Sequence, residues 1–260
     1  MIQSSIFNSE IFKQLIFCDQ SQKLTADLLV KKIVCDPPTG DCHKRRCSIC
    51  VGKLTELEEE MLSICEDNNI GEIECEQWLK TDRTAVQTIK DTAAEIVKEF
   101  GLKLKKLCEH QFEYRQQNLF IKELRENVPL NTCIAAGDFS ENLEFYDSQE
   151  VQSGYRGGGR ATLFPVILKW NDAGVLHEKA CCIISDDPTK HTFRQVYCFL
   201  REINFYLVRV FKNRKKMIYI SDGAGSQFKS CNNLINVCYH QQDYGIPAEW
   251  VFAGGTFSDF

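Results

Sequence analysis

The sequence predicts an α/β protein: a mixed sheet with helices on its faces, preceded by a helical region that carries a cysteine-rich knuckle. Three observations predict it. Apolar residues recur at three- and four-residue spacing as far as Glu126, short continuous apolar runs separated by turn residues follow beyond Asn131, and four cysteines crowd between positions 35 and 50. At 260 residues, 43% hydrophobic and 26% charged, the chain is long enough for one full domain and a smaller companion and apolar enough to bury a core.

The elements follow in order. Residues 1–34 show helical spacing, with Ile11, Leu15, Leu28 and Leu29 in the apolar set, and Cys35-Asp36-Pro37-Pro38 closes that helix. Residues 35–76 hold a loop with Cys35, Cys42, Cys47 and Cys50, then the short acidic helix LTELEEEMLSICED. Residues 77–130 read as a helical pair. Val86, Ile89, Ala93, Ile96, Val97 and Phe100 form one stripe, and Leu104, Leu107, Phe112, Leu119 and Leu124 form a second beyond the interruption at Gly101.

Residues 131–260 read strand, strand, strand, helix, strand, helix, strand. Thr132–Ala136 is a buried-type strand ending at Asp138, and ATLFPVILKW and KACCIIS pair through a hairpin turn at Asn171–Gly174. Thr189 is a candidate cap for a helix from Phe193 to Phe211. KMIYIS then ends at Asp222, Cys231–Tyr239 suits a helix, and Ala248–Phe252 is the fifth strand. Three meandering strands followed by alternating helix and strand let the first and fourth strands lie side by side and parallel. Asp138 and Asp222 then occupy two neighbouring carboxyl ends, where reactive groups collect in open α/β sheets.

Two carboxylates at such ends repel each other, and a divalent cation relieves the repulsion. Oxygen ligands of this kind suit Mg²⁺ or Mn²⁺ and phosphodiester chemistry, for which a third acid normally completes the clamp. An aspartate and glycine after a strand are also an ordinary turn signal, so it is the matched placement of GDFSEN (137–142) and ISDGAGSQFKS (220–230) that carries weight. Glu249 lies within an apolar strand pattern, which favours pairing with a basic residue. His177, His191 and His240 are read as local hydrogen-bonding residues, with His240 able to approach Asp222.

The knuckle reads Cys35-x6-Cys42-x4-Cys47-x2-Cys50. Four thiolates can hold a tetrahedral Zn²⁺ and the last pair has metal-knuckle spacing; free thiols in a loop are the alternative. Around zinc, Lys44, Arg45 and Arg46 would be displayed toward phosphates. A second basic group comprises Arg209, Lys212, Arg214, Lys215 and Lys216, and Lys229 follows the second aspartate. Lys215, Lys216 and Lys229 are candidate nucleic-acid contacts, against the plainer reading of the second group as a solvated helix end.

GDFSEN, QEVQSGY, ATLFPVILKW, IISDD and ISDGAGSQFKSCNNLINVCYHQQDYGIPAEW, with CDPPTGDCHKRRCSIC and QWLKTDRT upstream, resemble a group of animal genome proteins related to DDE/D-type transposases of the integrase superfamily. The resemblance implies a ribonuclease H-like fold, DNA as partner, a nuclear location, and Asp138 and Asp222 as the first two carboxylates of a Mg²⁺ or Mn²⁺ site. Relatives continue into a helix bearing the third acid. This sequence ends AGGTFSDF, with Asp259 its last acidic residue, so a truncated, inactive core with one apolar sheet face exposed is expected. A zinc-containing nucleic-acid-binding or protein-interaction module is the non-enzymatic alternative.

A net charge of −5 excludes a uniformly basic nucleic-acid binder. No apolar run approaches membrane-span length, and the start lacks a signal-peptide pattern, so an intracellular protein with reduced thiols is expected. No feature points to a small-molecule substrate. The glycines at 157–159 suit a flexible hairpin rather than a nucleotide loop.

Overall fold

The computed structural model describes residues 25–80, 84–145, 160–186 and 191–253. They fall into two units, Met1–Glu113 and Tyr114–Phe260. The helical spacing around Ile11 and Leu15, the glycines at 157–159, the cap proposed at Thr189 and the acid Asp259 lie outside the described residues.

In the first unit the Thr25 hydroxyl accepts the Leu28 N–H at 3.3 Å and caps a short helix, α1 (Ala26–Ile33), whose Leu29, Val30 and Ile33 are buried. A single turn, α2 (Gly40–His43), and a 20-residue helix, α3 (Ser48–Asp67), follow. The acidic segment is helical as its spacing predicts, but α3 starts earlier, so Cys50 lies in its first turn rather than in a loop.

The helical pair expected over 77–130 is not formed. An antiparallel hairpin, β1 (Glu72–Lys80) and β2 (Thr84–Thr92), is followed by one 34-residue helix, α4 (Ala93–Glu126). On β1 the alternation is of period two: Ile73, Cys75 and Gln77 are buried while Glu72, Glu74 and Glu76 face out. Val86 and Ile89 belong to β2, and their spacing to Ala93 only mimics a helical stripe across the junction. Gly101 does not interrupt α4. A Cβ there would meet a Glu58 carboxylate oxygen at 1.7 Å, so glycine is what lets the Glu58 side chain lie against the helix.

The second unit contains β3 (Thr132–Gly137), β4 (Leu143–Glu144), β5 (Arg160–Asp172), β6 (Val175–Ser185), α5 (Phe193–Val210), β7 (Lys216–Asp222), α6 (Cys231–Tyr244) and β8 (Ala248–Ala253). The sheet is mixed. Its order is β4-β5-β3-β7-β8, with β6 pairing β5; β5 runs antiparallel to β3, β4 and β6, whereas β3, β7 and β8 are parallel. The turn at Ala173–Gly174 has positive φ at both residues, as the Asn-Asp-Ala-Gly signal predicts. Helix α5 starts at a capping box between Thr192 and Gln195.

The period of two along the central strands divides the core. Cys133, Ala135, Met217 and Tyr219 pack on one face with Phe199, Ile203 and Leu207 of α5. Ile134, Ala136, Ile218 and Ile220 pack on the other with Ile121, Leu124 and Val128. The second face is the one that could be left bare, and over β3 and β7 it is closed by the end of α4 and the turn that follows. No described helix is long and apolar enough to cross a membrane.

Candidate functional site

Two groups of side chains have the chemistry of sites, one in each unit. In the first unit the four cysteine sulfurs of Cys35, Cys42, Cys47 and Cys50 all lie within 4.8 Å of one another. Cys35 Sγ is 3.5 Å from Cys50 Sγ and 3.9 Å from Cys47 Sγ. A disulfide needs about 2.05 Å, and all four are free thiols. Ligands about 2.3 Å from a tetrahedral zinc stand about 3.8 Å apart, so the two separations bracket the spacing such an ion requires. The cluster could hold a metal ion such as zinc.

Local structure prepares the cluster. Cys47 is the residue capping the N-terminus of α3, and the N–H groups of Cys50 and Ile49 hold its thiol below the ordinary range. The Thr39 hydroxyl, 3.2 Å from Cys42 Sγ, and the Thr39 backbone hold the Cys42 thiol down to about 6. Cys50 is fully enclosed, and burial pushes its thiol up to about 12. Cys42 and Cys47 are held below the ordinary thiol range while Cys35 and Cys50 are held above it, a mismatch that a bound cation removes, because it deprotonates all its ligands.

The basic residues of the knuckle divide. Lys44 and Arg46 are exposed, and Lys44 Nζ lies 5.9 Å from the Phe112 ring. Arg45 is not displayed. With φ at 56° it turns its guanidinium inward, donating to the Ile33 carbonyl at 2.8 Å and to the Cys50 carbonyl. The Ile33 carbonyl, at the end of α1, is one that the helix leaves unpaired, and the guanidinium that satisfies it also reaches the Cys50 carbonyl in the first turn of α3. His43 stacks on Phe112 at 4.9 Å, with Nδ1 3.7 Å from Cys108 Sγ.

In the second unit the ladder between β3 and β7 pairs Ala136 with Ile220, and two further residues bring Asp138 opposite Asp222. Neighbouring strands are about 5 Å apart, so the two aspartates stand near each other at the carboxyl ends of β3 and β7, beyond Ala136 and Ile220. Burial, and then the charge of Asp222, push the Asp138 carboxyl up to about 6. Each is anchored: Asp138 Oδ1 accepts the Phe139 N–H at 2.8 Å, and Asp222 Oδ1 accepts the Ala224 N–H at 3.0 Å. Gly137 precedes the first because a Cβ there would come within 2.9 Å of the Phe164 ring and 3.1 Å of the Pro165 carbonyl. Among the described residues no third histidine, cysteine or acid joins the pair.

The other candidates are placed as follows. Lys216 begins β7, roughly 20 Å along the strand from Asp222, with Lys215 just before it, and Lys216 pairs with Glu249 at 2.7 Å. Glu249 thus takes the basic partner that its strand position predicts. Arg209 and Arg214 donate to the Phe205 and Phe211 carbonyls at the end of α5, the role expected of a helix terminus. Lys229 is exposed, and its Nζ lies 5.7 Å from the ring of Phe252, which packs with the α5 face of the sheet.

His240 does not approach Asp222. It is buried on the α5 side of the sheet, with Nδ1 2.7 Å from the Ile246 carbonyl and Nε2 2.9 Å from the Tyr219 hydroxyl. His177 stacks on Trp170, and His191 stacks on Phe139 with Nε2 3.1 Å from Asn142 Oδ1. Sequence reasoning misses Thr39, Lys53 and the inward role of Arg45. A threonine three residues before Cys42 is the one signal that could have indicated the first.

A mixed-sheet α/β unit bearing a carboxylate pair, together with a smaller unit bearing a four-cysteine cluster, is the class of protein that these features define. Residues 117–256 match the family described as domain of unknown function (DUF8701), and residues 6–108 match a second, domain of unknown function (DUF8700). With more than half of its length in the first match, the chain belongs to the DUF8701 family. The two matches part between residues 108 and 117, where the two structural units also divide. No curated protein and no solved structure matches the chain.

Proposed function

We propose that this is a transposase-derived protein of the DDE/D lineage, with a ribonuclease H-like core that keeps a cation-binding carboxylate pair and a first unit that holds zinc. The observation that carries the reading is the pair itself: Asp222 ends β7, Asp138 follows the end of the adjacent parallel strand β3, and the two are close enough for Asp222 to raise the Asp138 pKa. The sheet order, with three antiparallel meander strands leading into two parallel ones through α5 and α6, supports the same fold.

The pair fits Mg²⁺ or Mn²⁺ because both groups are carboxylates and one resists ionising alone. When bound, such an ion supplies positive charge to phosphate oxygens during phosphodiester cleavage. The residues of this chain contribute the rest: Asp138 and Asp222 orient their oxygens through the Phe139 and Ala224 N–H groups, and the exposed Lys229, seven residues after Asp222, is a cation available to a phosphate. Two carboxylates without the third leave cleavage unsupported by the described residues, so DNA binding without cutting is the activity we assign.

The test is retention of labelled duplex DNA by zinc-loaded protein with and without Mn²⁺. Mn²⁺ should tighten retention by wild type but not by Asp138→Asn or Asp222→Asn, and no nicked product should form. Retention indifferent to Mn²⁺ and to both substitutions would remove the basis for the reading. Mn²⁺-dependent nicking that Asp138→Asn abolishes would make the protein a working nuclease. Elemental analysis should find about one zinc per chain, falling to near zero in Cys47→Ser.

A further inference from the structure

The zinc reading concerns four sulfurs, but two cations reach the same place from outside the ligand set. Arg45 bridges the Ile33 and Cys50 carbonyls, and Lys53 Nζ donates to the Val34 carbonyl at 2.8 Å. Val34 immediately precedes Cys35, and Cys50 is itself a ligand, so both positive charges rest on the backbone that presents the sulfurs. Neither side chain is fully exposed. Glu58 is an acidic neighbour of Arg45, and its carboxyl is raised by burial against the opposing pull of that guanidinium.

Four thiolates around Zn²⁺ carry a net charge of −2, which is costly away from water unless cations or N–H groups offset it. Segments that must converge on one ion also have to be held at the right separation before it arrives. Arg45 and Lys53 meet both needs: they tie the end of α1 to the start of α3, and they bring positive charge to the backbone that carries the thiolates. We infer that Arg45 and Lys53 are positioning residues of the metal centre, acting through the backbone of Cys35 and Cys50 and through their charge to retain the ion. The inference rests on the zinc reading of this cluster.

Zinc-loaded full-length wild type, Arg45→Gln, Arg45→Lys and Lys53→Gln are challenged with excess chelator while released zinc is followed with a chromogenic dye. Outer partners of metal ligands typically change affinity about 10- to 100-fold. Arg45→Gln and Lys53→Gln should each release zinc about tenfold faster or more, and Arg45→Lys, which keeps the charge, should recover part of the difference. Raising the ionic strength should speed release from wild type more than from the Gln variants, a response that a merely structural role would not give. Cobalt-substituted protein should keep its thiolate charge-transfer bands in every variant, which separates faster release from loss of the site. If both Gln variants release zinc at the wild-type rate, the inference is overturned although zinc is bound. If wild type carries no zinc, the zinc reading itself fails and the inference goes with it. A variant that does not fold leaves the other position to decide.

Discussion

The first unit surrounds Met61, Phe100 and Leu104 with short helical segments, a hairpin and part of α4, and it gathers four thiols at one place. The second builds two apolar layers on a continuous sheet and collects its unusual chemistry at the sheet rim. In the first the cysteines stand where chain segments meet, so on the proposed zinc reading ligation and folding would be one process. In the second the core is complete without the aspartates, and the site is an addition to a fold that already stands. A cluster that holds segments together should govern stability, whereas a pair at a rim should govern binding.

The contrast can be broken most severely at the cysteines. Structural zinc contributes on the order of 10 kcal/mol, so Cys50→Ser or chelation should abolish hydrogen-exchange protection across α1, α3 and the hairpin while protection of β3 and β7 persists. Protection that survives metal removal in the first unit would erase the distinction. Phe199→Ala, at a site 4% exposed under α5, should cost about 3–5 kcal/mol in denaturant unfolding of the second unit with zinc content unchanged.

Gly137→Ala sharpens the comparison, because it strains the strand beside Asp138 without altering either carboxylate. The added methyl must displace the Phe164 ring or the β5 backbone, and a loss of about 1–3 kcal/mol in thermal or chemical unfolding is expected. The smallest effect concerns His240, whose imidazole burial holds below its ordinary pKa. Below about pH 6.5 the unfolded chain binds the proton that the folded one refuses, so stability should fall with pH there. Replacing His240 with Asn should flatten that slope; an unchanged slope would show that other groups govern it.

The sheet was legible because Thr132–Ala136 and Met217–Ile220 are continuous apolar runs, bounded by turns, that only buried strands require. The pairing of Lys216 with Glu249 followed from a charge set in an apolar strand. The hairpin Glu72–Thr92 was not legible as such, because its buried positions include Cys75 and Gln77 and its spacing runs into that of α4. Gly101 reads as a break only until the neighbouring Glu58 is seen. At the sites, residue identities were visible and directions were not. Four cysteines announce a candidate ligand set, but whether Arg45 faces water or the Cys50 carbonyl depends on a backbone φ that composition does not encode.

The carboxylate pair can be tested by thermal unfolding of zinc-loaded wild type and Asp138→Asn at pH 8, with and without Mn²⁺. Asp138 is held up at about 6, above its unfolded value, so folded-state stability falls as the pH rises from about 4 to about 6, and the full cost of ionising it stands at pH 8. Without Mn²⁺ the Asn variant should therefore be the more stable protein, by about 1 kcal/mol after allowance for solvent screening. Added Mn²⁺ should stabilise wild type and leave the variant where it was. An equal Mn²⁺ shift in both proteins, or none in either, would contradict a cation shared between Asp138 and Asp222.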